Sequence, residues 1–86
     1  MKKLVEIDDK EGLEKLLGEV VTLFCDTYIY TGKLIGVNEQ DVLLENPSIV
    51  YETGEFSSKT WKDAQSLNTK QWYVRTSKIE SYGIMK

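Results

Sequence analysis

The apolar residues at the start of the chain repeat with a helical period. Four of them occupy positions i, i+3, i+4 and i+7, which is one stripe on a helix. They are Leu13, Leu16, Leu17 and Val20. We therefore predict a short α-helix over about residues 9–17, with Asp8 as its N-cap and Gly18 as its C-terminal end.

After residue 19 the pattern changes to the period of two that is typical of β-strands. The apolar runs are VVTLFC, residues 28–37, VLLEN, SIVYE and the two runs that flank RTS in QWYVRTSKIESYGI. Residues 53–71 are polar and are predicted to form a long excursion, with Trp61 as a candidate anchor. About five short strands separated by turn residues favour a small barrel or sandwich.

Two glycines interrupt the second predicted strand, Gly32 and Gly36. Glycine weakens a strand interior, but it also permits the sharp bends that a small barrel needs in order to curl. We therefore predict that this strand bends at these residues. Pro47 cannot donate to a strand ladder, so it marks an edge, a bulge or a strand end.

Length and composition add a requirement for stabilisation. The 86 residues form one predicted domain, and a domain of this size buries only about 60–65% of the surface of its unfolded chain. A single cysteine rules out an internal disulfide, and the lack of histidine removes the commonest zinc ligands. Oligomerisation therefore remains as the predicted source of additional burial.

The sequence contains no recognisable signal peptide and no apolar run of membrane-spanning length, so we expect a cytoplasmic protein with no membrane partner. The net charge of −3 is unevenly distributed, since residues 59–86 carry six Lys/Arg against Asp63 and Glu80. A basic C-terminal third is either ordinary surface charge or a local anion site.

Enzymatic chemistry is not predicted. Cys25 alternates with apolar residues, has no histidine to activate it and is expected in the core. Asp8 and Asp9 suit a helix start better than acid–base catalysis. No glycine-rich loop suited to cradling a phosphate is present. We therefore expect no enzyme activity, no cofactor and no metal.

Two segments carry a family resemblance. In VVTLFCDTYIYTGKLIGVNEQDVLLEN, a strand with the pattern Gly32-x-Leu34 is followed by a polar turn and the Leu43–Leu44 pair. In WYVRTSKIESYGI, an apolar residue and Arg75 precede a tight turn and a final strand. The two segments, in this order and after a helix, resemble the two motifs of the Sm-like family (Sm, LSm and Hfq-type proteins).

The resemblance implies a mainly β fold, with a short N-terminal α-helix and a strongly bent five-stranded antiparallel SH3-like (Sm-like) barrel. A single Sm-like domain would span residues 1–86, with the first motif at about 19–46, the variable excursion at about 53–71 and the second motif at about 72–84. Such proteins assemble head to tail into homo-oligomeric rings by pairing edge strands, which closes the ring and hides those edges.

The resemblance also implies a site for single-stranded RNA at the two tight turns, and a chaperone or regulatory role. The candidate RNA-binding residues are Asn38, Gln40, Asp41, Arg75 and Lys78. A planar guanidinium can stack on a base and donate to a phosphate, which suits Arg75. The alternative role of Arg75 is a structural ion pair with Asp41 or Asn38 that ties the two turns together.

This chain also differs from the family pattern. Thr76 stands where a glycine is usual, no aromatic residue occupies the first turn, and Asp41 replaces the asparagine that reads the base. Trp72 and Tyr73 either stack on bases or anchor the core or an interface. The alternative function is therefore a ring that serves as a structural or protein-interaction module without RNA, with a protein partner bound through residues 53–71.

Overall fold

Six antiparallel strands form one sheet in the computed structural model, which describes residues 12–85. The strands are β1 (Val20–Cys25), β2 (Ile29–Val37), β3 (Asp41–Glu52), β4 (Asp63–Ser66), β5 (Gln71–Arg75) and β6 (Ile79–Ile84). The strand order is β4-β3-β2-β1-β6, and β5 pairs with the other half of β3. The prediction of a mainly β fold is confirmed.

The predicted N-terminal α-helix differs from the structure. Gly12–Leu16 form a 3-10 helix, and none of its residues is fully buried. Gly12 has a φ of +72°, which a right-handed α-helix cannot accommodate, so no α-helix runs through this residue. Asp8 and the rest of the predicted span, residues 9–11, lie outside the described residues.

The pairing of β2 with β3 is irregular at both glycines of β2. The register shifts between Thr31 and Lys33, and again between Leu34 and Gly36. At Gly32 a Cβ would lie 3.1 Å from the backbone oxygen of Glu45, closer than side chains normally tolerate. A larger residue would therefore force β2 and β3 slightly apart at this position, which favours glycine there.

The long strand β3 changes direction at Asn46 and Pro47. Asn46 has a φ of +52°, and Pro47 is fully buried opposite the first register shift. Of the three alternatives predicted for Pro47, an edge, a bulge or a strand end, the structure shows a bulge. Residues before the bend pair with β5, and residues after it pair with β4.

The excursion predicted at residues 53–71 contains a strand of its own. Its residues Asp63–Ser66 form β4 and pair with Ser48–Glu52 of β3. The sheet therefore has six strands rather than the expected five. The polar side chains of β4 gave no apolar alternation, because this strand lies at an edge where little of it is buried.

The core lies between the curled strands. Its fully buried apolar residues are Val21, Leu23, Leu34, Val42, Leu44, Val50 and Val74. Within the described part of the chain, β5 pairs only with β3 and β6 pairs only with β1. Since β4 also pairs only with β3 there, the sheet does not close on itself, and the three strands β4, β5 and β6 each keep an unpaired edge.

Candidate nucleic-acid interface

Two tight turns lie against each other at one end of the sheet. One connects β2 to β3, and the other is the 3-10 turn Thr76–Lys78 between β5 and β6. The Thr76 amide donates to the carbonyl oxygen of Gln40 at 2.9 Å, and its Oγ1 donates to that of Glu39 at 2.8 Å. These two hydrogen bonds join the turns into one surface.

Asn38 stabilises the first turn from within. Its Oδ1 accepts the backbone N–H groups of both Gln40 and Asp41 at 2.8 Å. The backbone N–H of Asn38 donates to the backbone carbonyl oxygen of Asp41 at 2.9 Å, which closes the turn. Short amide side chains favour this arrangement because they can replace a backbone acceptor. The Oδ1 of Asn38 is therefore used inside the turn.

Asp41 and Arg75 face each other across the paired strands β3 and β5. The Oδ1 of Asp41 lies 3.6 Å from the Nε of Arg75, and the two side chains are 27% and 68% exposed. This contact is the ion pair with Asp41 that was predicted as the alternative, structural role of Arg75. An exposed pair of this kind contributes little stability, and it leaves most of the guanidinium open to solvent. A role for Arg75 in RNA binding stays a prediction.

Lys78 lies on the other side of the second turn. Its Nζ is 3.9 Å from the Oδ2 of Asp26, and its carbonyl oxygen accepts the Asp26 amide at 3.1 Å. It therefore belongs to the junction of this turn with the β1–β2 turn. The structure brings Asn38, Gln40, Asp41 and Arg75 together and places Lys78 beside a different loop.

Arg75 and Lys78 nevertheless line the same hollow, which has a volume of about 290 Å³. Its other walls include the aromatic rings of Tyr28, Tyr30, Trp72 and Tyr73. The centroids of Tyr30 and Trp72 are 6.5 Å apart, and those of Tyr28 and Tyr30 are 6.2 Å apart. Aromatic faces beside basic side chains are the combination on which single-stranded nucleic acids bind.

Trp72 and Tyr73, which precede Arg75 in β5, point to opposite faces of the sheet. Trp72 pairs with Leu44 of the buried row and packs against the core. Tyr73 pairs with Leu43 on the other face and is 67% exposed. Because Tyr73 and Arg75 are two residues apart in one strand, they share this outer face. Tyr73 thus offers an aromatic ring that the first turn lacks.

Thr76 joins the two turns, a role that the sequence did not reveal. The family that the chain resembles has a glycine there, and threonine would be a poor substitute if the turn required a positive φ. The non-glycine residue with a positive φ in residues 12–85 is Asn46. Thr76 instead begins a 3-10 turn and uses its hydroxyl to join the turns. A hydroxyl residue directly after a strand was the available signal.

The one cysteine lines the same hollow. Burial raises the pKa of the Cys25 thiol above its ordinary value of 9.0, and the nearby carboxylates of Asp26 and Glu80 add to this effect. Burial likewise raises the pKa of Tyr30. The thiol is therefore protonated at neutral pH, which is the less nucleophilic form.

Residues 12–85 contain neither a metal-ligand cluster nor a membrane-spanning helix. No three side chains of the types His, Cys, Asp and Glu cluster closely enough there to hold a metal ion. No helix in this part of the chain has the length and apolar character needed to cross a membrane.

No protein-family model matches the sequence, and no curated protein matches it either.

Proposed function

We propose that this protein is a homo-oligomeric Sm-like ring that binds single-stranded RNA as a chaperone or regulatory module. The observation that carries the proposal is that two of the three edge strands, β5 and β6, have apolar side chains facing the core side of the sheet. The proposed ring requires that the sheet form a strongly bent barrel and that neighbouring copies complete it.

The β6 edge has an apolar row that its own subunit covers only in part. Tyr82 pairs with Leu23 and Ile84 pairs with Val21, so both point to the core side. They are nevertheless 41% and 52% exposed. An exposed apolar row beside free backbone N–H and C=O groups is a template for pairing with another strand.

The β5 edge offers a matching surface. Trp72 and Val74 pair with the buried residues Leu44 and Val42, so they too face the core side. If β6 of one copy pairs with β5 of the next, both apolar rows continue a single core across the contact. Such a contact joins two different surfaces, and repeating it generates a ring where the rotation closes.

RNA binding is supported by the surface around Arg75. Tyr73 and Arg75 are exposed on one face of β5, and Lys78 lines the adjoining hollow. A base can stack on the tyrosine while the guanidinium donates to a phosphate. A ring would repeat this surface once per subunit, so a single strand could contact several copies.

Light scattering tests the ring. The mass of the purified protein should be a multiple of the 9.9 kDa subunit. Ile84→Lys should reduce it to one subunit, because a charge would enter the apolar contact. Ser81→Lys adds the same charge to the same strand on the opposite face, next to Phe24, and should leave the mass unchanged. A wild-type protein of single-subunit mass would refute the ring.

Fluorescence anisotropy tests RNA binding, with short oligo-U, oligo-A and mixed RNAs at low salt, where phosphate contacts are strongest. We expect binding at micromolar protein or below, and weaker binding by Tyr73→Ala. The RNA-binding part of the proposal fails if none of these RNAs binds at micromolar protein.

A second candidate function is a protein-interaction module that uses residues 53–62. Trp61 packs edge-to-face against Phe24, with centroids 6.2 Å apart, and this anchors the segment over β1 and β6. Phe56 remains exposed at the rim of a hollow of about 250 Å³ beneath the segment. An exposed aromatic residue at the rim of an apolar hollow is common in protein interfaces.

A substitution tests this candidate better than deletion of residues 54–70, because that deletion would remove β4. A pull-down with Phe56→Ser should lose a specific protein partner, with no RNA recovered. Tyr51→Ser, which changes an exposed aromatic residue outside the segment, should retain it. Equal recovery by wild type and Phe56→Ser would contradict this candidate.

A further inference from the structure

The ion pair between Asp41 and Arg75 lies on the surface that the proposed RNA would contact. Asp41 is fixed by its strand and is only 27% exposed, whereas Arg75 is 68% exposed and can reorient. The closest contact joins the Nε of Arg75 to the Oδ1 of Asp41 at 3.6 Å, which exceeds hydrogen-bonding distance. The carboxylate therefore acts on the guanidinium mainly through its charge.

The turns do not depend on this ion pair for their contact. Thr76 holds the two turns together through two hydrogen bonds to backbone oxygens. Asn38 stabilises the first turn through its side-chain Oδ1, which accepts two hydrogen bonds, and through its backbone N–H, which donates one. The backbone of Asp41 also stays paired with β5 whatever its side chain is. A neutral side chain at this position would therefore keep the geometry of the surface and change its charge.

We infer that the Asp41 carboxylate competes with RNA phosphate for Arg75 and thereby weakens RNA binding at this surface. This inference rests on the proposed RNA-binding function. A phosphate placed on Arg75 comes within a few ångströms of the Asp41 carboxylate and is repelled by it.

The test compares Asp41→Asn with the wild-type full-length chain, using anisotropy with an eight-nucleotide oligo-U. Asparagine has nearly the same shape and no charge. We expect about twofold to fivefold tighter binding near 50 mM salt, which is the effect of removing one exposed charge interaction. We also expect the slope of log affinity against log salt to steepen by about 0.7, because one more phosphate contact is made.

Glu52→Gln is the matched control. Glu52 lies at the other end of β3 and pairs with Lys62 at 3.2 Å, so its substitution changes the net charge equally and also breaks an ion pair. It should leave RNA affinity unchanged. Thermal unfolding of both variants shows whether each retains the wild-type fold.

Each outcome is decisive. Tighter binding and a steeper salt slope for Asp41→Asn alone support the inference. Wild-type binding that Asp41→Asn leaves unchanged or weakens overturns it and leaves the proposed function standing. Equal tightening by Glu52→Gln also overturns it, because the effect would then come from total charge. Absence of RNA binding by both wild type and Asp41→Asn refutes the proposed function and this inference together.

Discussion

Trp72 and Tyr73 are adjacent in β5 but lie on opposite faces of the sheet. Trp72 pairs with the buried Leu44 and packs against the core, whereas Tyr73 pairs with Leu43 and is exposed. Successive side chains in a strand alternate between faces, so only Tyr73 shares the outer face with Arg75, although both rings line the hollow beside it. One stabilises the subunit, and the other is available to a ligand or a neighbouring copy.

This division predicts opposite effects of two alanine substitutions. Trp72→Ala should lower the free energy of unfolding by about 2 kcal/mol or more, because it removes a large ring packed on the core. Tyr73→Ala should change stability by less than about 0.5 kcal/mol, since it alters an exposed side chain. Urea denaturation measures both values. Similar losses for the two variants would contradict the assignment of faces.

The close approach of β3 to β2 predicts that replacing Gly32 with a larger residue lowers the free energy of unfolding. Gly32→Ala would place its Cβ 3.1 Å from the Glu45 oxygen and 3.3 Å from the Cα of Pro47, and both are backbone atoms. We expect a loss of about 1–3 kcal/mol in urea denaturation, the usual cost of overpacking.

Gly83→Ala is the control for this prediction. A Cβ added to Gly83 would meet no other part of the chain within 4 Å, and Gly83 has no positive φ. Alanine should therefore be neutral or slightly stabilising there. A Gly32→Ala variant as stable as wild type would show that β2 and β3 are not packed this closely.

The junction of the two turns predicts a measurable role for the Thr76 hydroxyl. Thr76→Val keeps the shape of the side chain and the backbone bond to Gln40, and it removes the hydrogen bond to the Glu39 carbonyl. We expect a loss of about 1 kcal/mol in thermal unfolding. Ser77→Ala, in the same turn, removes an exposed hydroxyl and should have almost no effect. Equal effects of the two substitutions would argue against the junction.

The raised pKa of Cys25 predicts a loss of stability at alkaline pH. The folded state holds the thiol neutral, while the unfolded chain ionises it near the ordinary value of 9.0. Its contribution is therefore fully present below about pH 9 and is lost as the pH rises through the folded pKa.

Melting temperatures of wild type and Cys25→Ser at pH 7 and pH 10 measure this contribution. Serine does not titrate in this range, so the wild type should lose more stability between the two values than the variant does. Identical losses would show that the thiol ionises equally well in both states.

The candidate site was only partly predictable from the sequence. The family resemblance implied that the turn containing Asn38 and the turn after Arg75 would form one site, and the two turns do meet. The role of Thr76 was missed because its hydroxyl bonds a carbonyl 37 residues earlier in the chain. Lys78 was grouped with Arg75 by proximity in sequence, but a 3-10 turn directs it toward Asp26.

The sequence by itself determined the local elements whose signal is local. Alternating apolar residues specify strands that bury one face, Gly32 and Gly36 mark irregular positions in the second strand, and Pro47 marks an edge, a bulge or a strand end. Only the tertiary structure decided that the polar residues 63–66 form a strand, because their pairing partner is supplied by β3 and not by their own alternation. It also decided which edges stay open, since strand pairing between distant segments depends on how the whole sheet curls.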